Sequence, residues 1–168
     1  MRPTKNDYPD YAQKYLDLIE GDDIISILHQ SSKELTDVIN SFPESNGDYS
    51  YDKDKWTVKQ VIGHLMDTDR IFAYRALSIA RGEKQPLPSF DQNIYVLNGN
   101  FNKKSLAELS YEYRLLRESN LLLFRSFDSL IYQNRGIAAG SEVTVLGIMF
   151  MVAGHQKHHI KILKEKYL

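Results

Sequence analysis

Apolar residues recur at intervals of three and four in four long stretches of the chain, and this spacing predicts four helices that each bury one stripe. The first runs from about Asp22 to Ser41 with Ile24, Leu28, Leu35, Val38 and Phe42 on one face; Pro43 and a polar loop around Asn46 and Gly47 end it. The second opens at Thr57, where Thr57 and Gln60 can form a capping box. It carries Val61, Leu65, Phe72, Ala76 and Ile79 and stops at Arg81 and Gly82. The third starts at a second box, Ser105 to Glu108, and places Leu106, Leu109, Tyr113, Leu116, Leu123, Phe127 and Leu130 along a bundle seam, with Asn120 as its one polar position. The fourth begins after Gly140 and Ser141 and reaches about Lys166, with Val145, Ile148, Val152 and Ile162 on its apolar side.

Glu83 to Lys104, with Pro86, Pro88 and Gly99, is long for a helix connection, and a short helix around Asp91 to Leu97 is expected inside it. No segment combines strand alternation with turn signals, although a small edge hairpin in the loops is compatible with the pattern. The predicted architecture is all-α: a four-helix bundle with a long crossover connection, forming one domain over residues 1–168 with 1–20 as an N-terminal extension.

Composition narrows the function. With 42% hydrophobic and 26% charged residues the chain is too apolar for disorder and too charged for a membrane span. Lys plus Arg number 21 against 22 acidic residues, so no net field attracts a phosphate backbone or an anionic bilayer, and neither nucleic acid nor membrane is expected as a partner. The tyrosine-rich start, Met1 to Tyr15, has no apolar signal region, and the longest apolar stretch, around Val145 to Ala153, is too short to span a bilayer. The expected location is the cytoplasm. The chain has no cysteine, so sulfur chemistry would need a thiol cosubstrate.

The five histidines carry the candidate chemistry. At about 100° per residue, His155 and His159 lie about 40° apart on the fourth helix, one turn apart and amid Ile148, Met151, Val152 and Ile162. Two buried imidazoles side by side lack partners and repel when protonated, whereas a divalent ion accepts the lone pair of each neutral ring. His64, at the edge of the second helix's apolar arc, is placed to supply a third ligand across the bundle. Alone it would read as an ordinary core or rim histidine; it gains meaning from the pair. Three protein ligands leave a coordination position open, as catalytic zinc sites do. His158, about 60° from His155 on the wheel, is expected at the rim.

Asp67, one turn after His64, is a candidate base, against the commoner reading as a surface carboxylate. Asp69 falls between Leu65 and Ile62 on the wheel, where an ionised carboxylate needs an arginine or backbone donors. Arg75 lies about 16 Å along the helix from His64, too far to touch the same ion but able to hold the far end of a substrate. Trp56, Phe72, Tyr74, Phe90, Tyr95 and Tyr113 read first as packing, those near the crossover also as walls of a pocket mouth.

Three stretches resemble the DinB/YfiT-like superfamily: Trp56 to Arg70 (WTVKQVIGHLMDTDR), Pro88 to Asp91 (PSFD) in the crossover, and Gly154 to His159 (GHQKHH) in the last helix. The likeness extends from about Asp22 onward. It implies an up-down-down-up four-helix bundle, frequently dimeric, with a three-histidine metal site falling on His64, His155 and His159. Relatives of this kind include bacillithiol S-transferases and mycothiol-dependent isomerases, which implies a low-molecular-weight thiol as a candidate cosubstrate. Gln156 departs from the family where many members have an acidic residue, and Asp69 where a longer glutamate is common.

The expected function is a metal-dependent thiol S-transferase or hydrolase acting on a small molecule, with zinc or nickel activating a thiol or water. The alternative is a noncatalytic, stress-related bundle that keeps a metal for stability. That alternative predicts no substrate cavity next to the ion.

Overall fold

The computed structural model describes residues 1–168 and contains six α-helices and one hairpin. A short helix α1 (Gln13–Leu16) is followed by α2 (Ile24–Ser41) and α3 (Val58–Ala80). The crossover contains α4 (Gln92–Asn98) and leads into α5 (Leu106–Arg125). Strands β1 (Arg135–Ala138) and β2 (Ser141–Thr144) pair antiparallel before α6 (Val145–Ile162), which ends in a π-helical turn, Leu163–Tyr167.

The long helices begin where the sequence supplies a side-chain acceptor. Thr57 Oγ1 accepts from the Gln60 amide at 3.2 Å while Gln60 Oε1 accepts from the Thr57 amide at 2.9 Å. Ser105 and Glu108 make the same reciprocal pair at 3.1 and 2.7 Å. Each box satisfies two backbone donors that would otherwise lack partners, a contribution of about 1 kcal/mol for the cap residue.

Two regions correct the expected boundaries. α5 stops at Arg125 instead of near Leu130: Asp128 Oδ1 accepts from the Leu130 and Ile131 amides, closing a 3₁₀ turn that leaves Leu130 80% exposed. α6 starts at Val145 because Ser141 to Thr144 form β2, and Thr144 Oγ1 caps the helix through the Gly147 amide at 3.0 Å.

α2 packs on α5 and α6, and α3 packs on the same two, so α2 faces α3 and α5 faces α6 across the diagonals of the bundle. The connections from α2 to α3 and from α5 to α6 therefore cross the bundle, and the crossover between the adjacent, parallel α3 and α5 has to return along its length. One half of the core gathers Ile24 and Leu28 from the start of α2, Phe72 to Ala80 from the end of α3, Leu121 and Phe124 from the end of α5, and Val145 to Ala153 from the start of α6. The opposite half gathers the end of α2, the starts of α3 and α5, and Ile160 with Leu163. The helices therefore run up, down, down, up. Each fully buried Leu or Ile contributes about 1.5–3 kcal/mol, so both halves stabilise this arrangement.

The first twenty residues join that core. Tyr8, Ala12, Leu16 and Ile19 are buried in it, and the Arg2 guanidinium donates to the Leu16, Ile19 and Gly21 carbonyls. Gly147 and Gly154, two turns apart on α6, make room: a Cβ on the first would collide with the Asp7 carbonyl and on the second with that of Tyr15. The crossover is pinned as well, since Leu87 donates to Ile137 O at 2.9 Å and accepts from the Ala139 amide at 3.0 Å. No helix is long and apolar enough to cross a membrane.

Candidate metal centre

α3 and α6 run antiparallel in contact, which brings the early part of α3 beside the late part of α6, and there the three histidines meet. His64 Nε2 lies 3.1 Å from His155 Nε2, and His159 Nε2 lies 3.2 Å from the same atom. One ligand nitrogen from each of the three rings lies within 4.8 Å of the others. Two nitrogens bound to one tetrahedral zinc at 2.0–2.1 Å sit about 3.3 Å apart, close to the separations at His155.

The arrangement cannot be satisfied by hydrogen bonding among the rings. A neutral imidazole has one N–H and one lone pair, so a proton on His155 Nε2 serves one neighbour well and leaves the other facing it without a shared hydrogen. His159 Nδ1 is buried with no partner of any kind. Protonation offers no escape: burial pushes His64 down to about 4 and His159 down to about 3, the latter also feeling His64 and His158. His155 is held well below its ordinary value by burial and then by its histidine neighbours. Three neutral rings with converging lone pairs fit a divalent cation.

Neighbours fix the rings. The Trp56 indole packs 4.7 Å from the His64 ring, and its carbonyl accepts from the Tyr167 hydroxyl at 2.6 Å, so the C-terminal turn braces that wall. Tyr15 meets the edge of His155 at 5.6 Å and of His158 at 5.2 Å. His158 thus lies beside the cluster, at its rim, rather than in the group of three.

A cavity of about 190 Å³ opens on His64 and His155. Its walls are Phe72 and Thr68 from α3, Met151 from α6, Tyr11 and Tyr15 from the N-terminal segment, and Ser89 and Phe90 from the crossover, with Arg75 further along. No carboxylate lines it. The Thr68 hydroxyl is buried on this wall without a partner. A second, more open hollow of about 230 Å³ reaches His159 from the other side, past Trp56 and Tyr167.

Asp67 is not brought to the cluster. Its carboxylate pairs with Arg70 at 3.4 Å beside Glu112 of α5, burial raises its carboxyl above the usual range, and it lines neither hollow. Asp69 has the arginine its position demanded: Arg117 of α5 lies 2.7 Å from it, both residues at most 5% exposed. The same guanidinium donates to Gln156 Oε1 at 2.5 Å, and Gln156 Nε2 donates to the Ser31 carbonyl at 2.5 Å. A neutral Gln156 suits a site whose one arginine is already matched by one aspartate.

Sequence reasoning missed the wall formed by Tyr11 and Tyr15. The available signal was the pair of glycines in an otherwise bulky apolar helix, which marks a close approach of backbone.

Comparison with known proteins follows this geometry. The family model described as the DinB superfamily matches residues 27–163. A protein of Oceanobacillus iheyensis named "Putative metal-dependent hydrolase" is 25% identical over 145 residues, covering 79% of this chain and 77% of its own length. The structure of YfiT from Bacillus subtilis superposes with a TM-score of 0.77 at 17% identity, covering 98% of this chain and 90% of that one; it is described as a probable metal-dependent hydrolase with an unusual four-helix bundle topology. At that identity the likeness speaks to the fold.

Proposed function

The chain belongs to the DinB superfamily, and from that premise we propose that it is a metal-dependent hydrolase of small molecules whose ion is held by His64, His155 and His159. The observation that carries the reading is the convergence of three neutral imidazoles, one buried and two half-buried, beside a cavity that opens on His64 and His155. Zinc and nickel are the ions we expect there, since imidazole donors suit both. A divalent ion so held supplies Lewis acidity and lets water attack at neutral pH.

The chain's own residues supply the rest. Phe72, Phe90 and Met151 give the cavity apolar walls that favour an organic substrate over bulk water. The Thr68 hydroxyl, uncommitted inside the chain, is free to hold a polar atom of the reactant beside His64. Tyr15 and Trp56 keep His155 and His64 from rotating away. Asp67, turned to Arg70, takes no part in this scheme. The adjoining cavity favours an enzyme over a bundle that keeps its ion for stability alone.

The test is elemental analysis of protein purified without an affinity tag, followed by hydrolysis assays on aryl esters and amides before and after chelation. We expect about one ion per chain, activity lost on chelation and regained with zinc or nickel. A protein that binds no divalent ion, or hydrolyses equally well after chelation, overturns the proposal. Turnover that occurs only with an added small thiol, and consumes it, replaces hydrolysis by transfer to that thiol.

A further inference from the structure

We propose that the cavity beside the histidines recognises its substrate through a carboxylate group, gripped by Arg75. The structure has two buried arginines, Arg75 and Arg117, each at most 5% exposed. Arg117 has Asp69. Arg75 has no carboxylate: the titratable group it faces is the Tyr11 phenol, which is uncharged at neutral pH. A guanidinium stays charged in a protein, so a full positive charge sits in the cavity wall without a counter-charge.

Its surroundings leave it ready for a ligand. The guanidinium carbon stands 5.7 Å from the Phe72 ring centre and 5.9 Å from that of Phe90, so aromatic rings hold the group in place. Nη2 donates to the Pro88 carbonyl at 2.6 Å, and no other acceptor in the chain receives its remaining N–H donors. The open space beside it is the cavity, in which no acidic side chain competes.

Phe72 links the two ends. Its ring centre is 6.4 Å from that of His155 and 5.7 Å from the Arg75 guanidinium carbon, so the guanidinium lies no more than about 12 Å from the His155 ring centre. A small acid anchored at Arg75 therefore extends its other end toward the histidines across Phe72 and Thr68. One positive charge among aromatic walls matches a monoanion. A phosphate dianion calls for a second cation, and no lysine or second arginine lines the cavity. Resting on the hydrolase reading for the bond that is cut, the substrate class is an ester or amide that carries a free carboxylate at its far end.

The test uses calorimetry with benzoate, neutral benzamide and inorganic phosphate, on chelated protein and again after zinc loading. Chelated protein is expected to bind benzoate about 10- to 100-fold more tightly than benzamide, the range for losing a hydrogen bond to a charged group. Arg75→Met should remove that preference while sparing benzamide. Arg75→Lys, which keeps the charge and loses the fork, should fall between. Should Arg75→Met fail to fold, the ratio of benzoate to benzamide in the native chain decides alone. Equal binding of the two, or tighter binding of phosphate than of benzoate, overturns the proposal. So does benzoate binding that appears only after zinc loading, an outcome that leaves the metal reading standing. Benzoate binding by a chain that takes up no metal would preserve the Arg75 subsite and defeat the hydrolase reading.

Discussion

His155 and Gln156 are adjacent in sequence yet belong to two different kinds of buried polar cluster. Gln156 joins Asp69, Arg117 and Ser31 in a group where opposite charges touch and no cavity opens on it. It is not fully satisfied, since Arg117 Nε and Nη1 reach no acceptor, but its charge cancels. His155 joins two rings of its own kind on the wall of a cavity, with the uncancelled charge of Arg75 further along. The first cluster ties α2, α3, α5 and α6 together and gains nothing from a visitor. The second opposes like with like and is relieved only by something the chain does not contain. A buried polar group with its complement at hand specifies how helices meet, whereas one without it marks where chemistry occurs.

The largest effect expected from breaking this contrast is on stability. Asp69→Ala strands the Arg117 charge inside the bundle and should cost about 3–5 kcal/mol in urea unfolding, with metal stoichiometry unchanged in the protein that remains folded. Next comes His155→Ala. It should weaken zinc or nickel binding by more than about 100-fold, beyond the range for changes outside the ligand set, while leaving the chelated protein about as stable as before. A chelated His155→Ala protein that unfolds as readily as Asp69→Ala would erase the distinction between the clusters.

Acid should discriminate them more gently. In the folded chain His64 is held near 4, His159 near 3 and His155 well below its ordinary value, while in the unfolded chain each titrates near 6.5. The unfolded state thus binds protons first, so stability of the chelated protein is full above about pH 6.5 and declines as pH falls toward 4. Between pH 7 and pH 6 the loss should be on the order of 1–2 kcal/mol, and His155→Ala should flatten it. The smallest effect concerns the cavity wall. Gly154→Ala gains helix propensity of about 1 kcal/mol but drives a methyl group into the Tyr15 carbonyl. A net loss of about 1 kcal/mol is expected, with proteolytic sensitivity appearing ahead of Asp17 while the ligands stay in place.

Much of this was legible in the sequence because short-range rules govern it. The capping boxes at Thr57 and Ser105, the four apolar stripes and the i, i+4 histidine pair each depend on neighbours within a turn or two. The partner of Asp69 was legible as a need, not as a name, because Arg117 is 48 residues away. The hairpin before α6 was not resolved, since four-residue strands that pair only with each other and with Leu87 carry little alternation. Asp67 was legible as a carboxylate one turn from His64, but its pairing with Arg70 beside Glu112 of α5 was not, because that depends on a helix distant in sequence. The uncancelled charge on Arg75 could not be read at all: it is a fact about what the surrounding elements fail to provide.

The wall contributed by Tyr11 and Tyr15 lies ahead of residue 27, where the match to the DinB superfamily model begins, whereas every candidate ligand lies within that match. Part of what shapes the cavity is thereby written outside the stretch that carries the candidate ligands. A change in the leading segment reshapes what the cavity admits while every candidate ligand keeps its place, and Tyr15, which meets the edge of His155, is where such a change would reach the reactive centre.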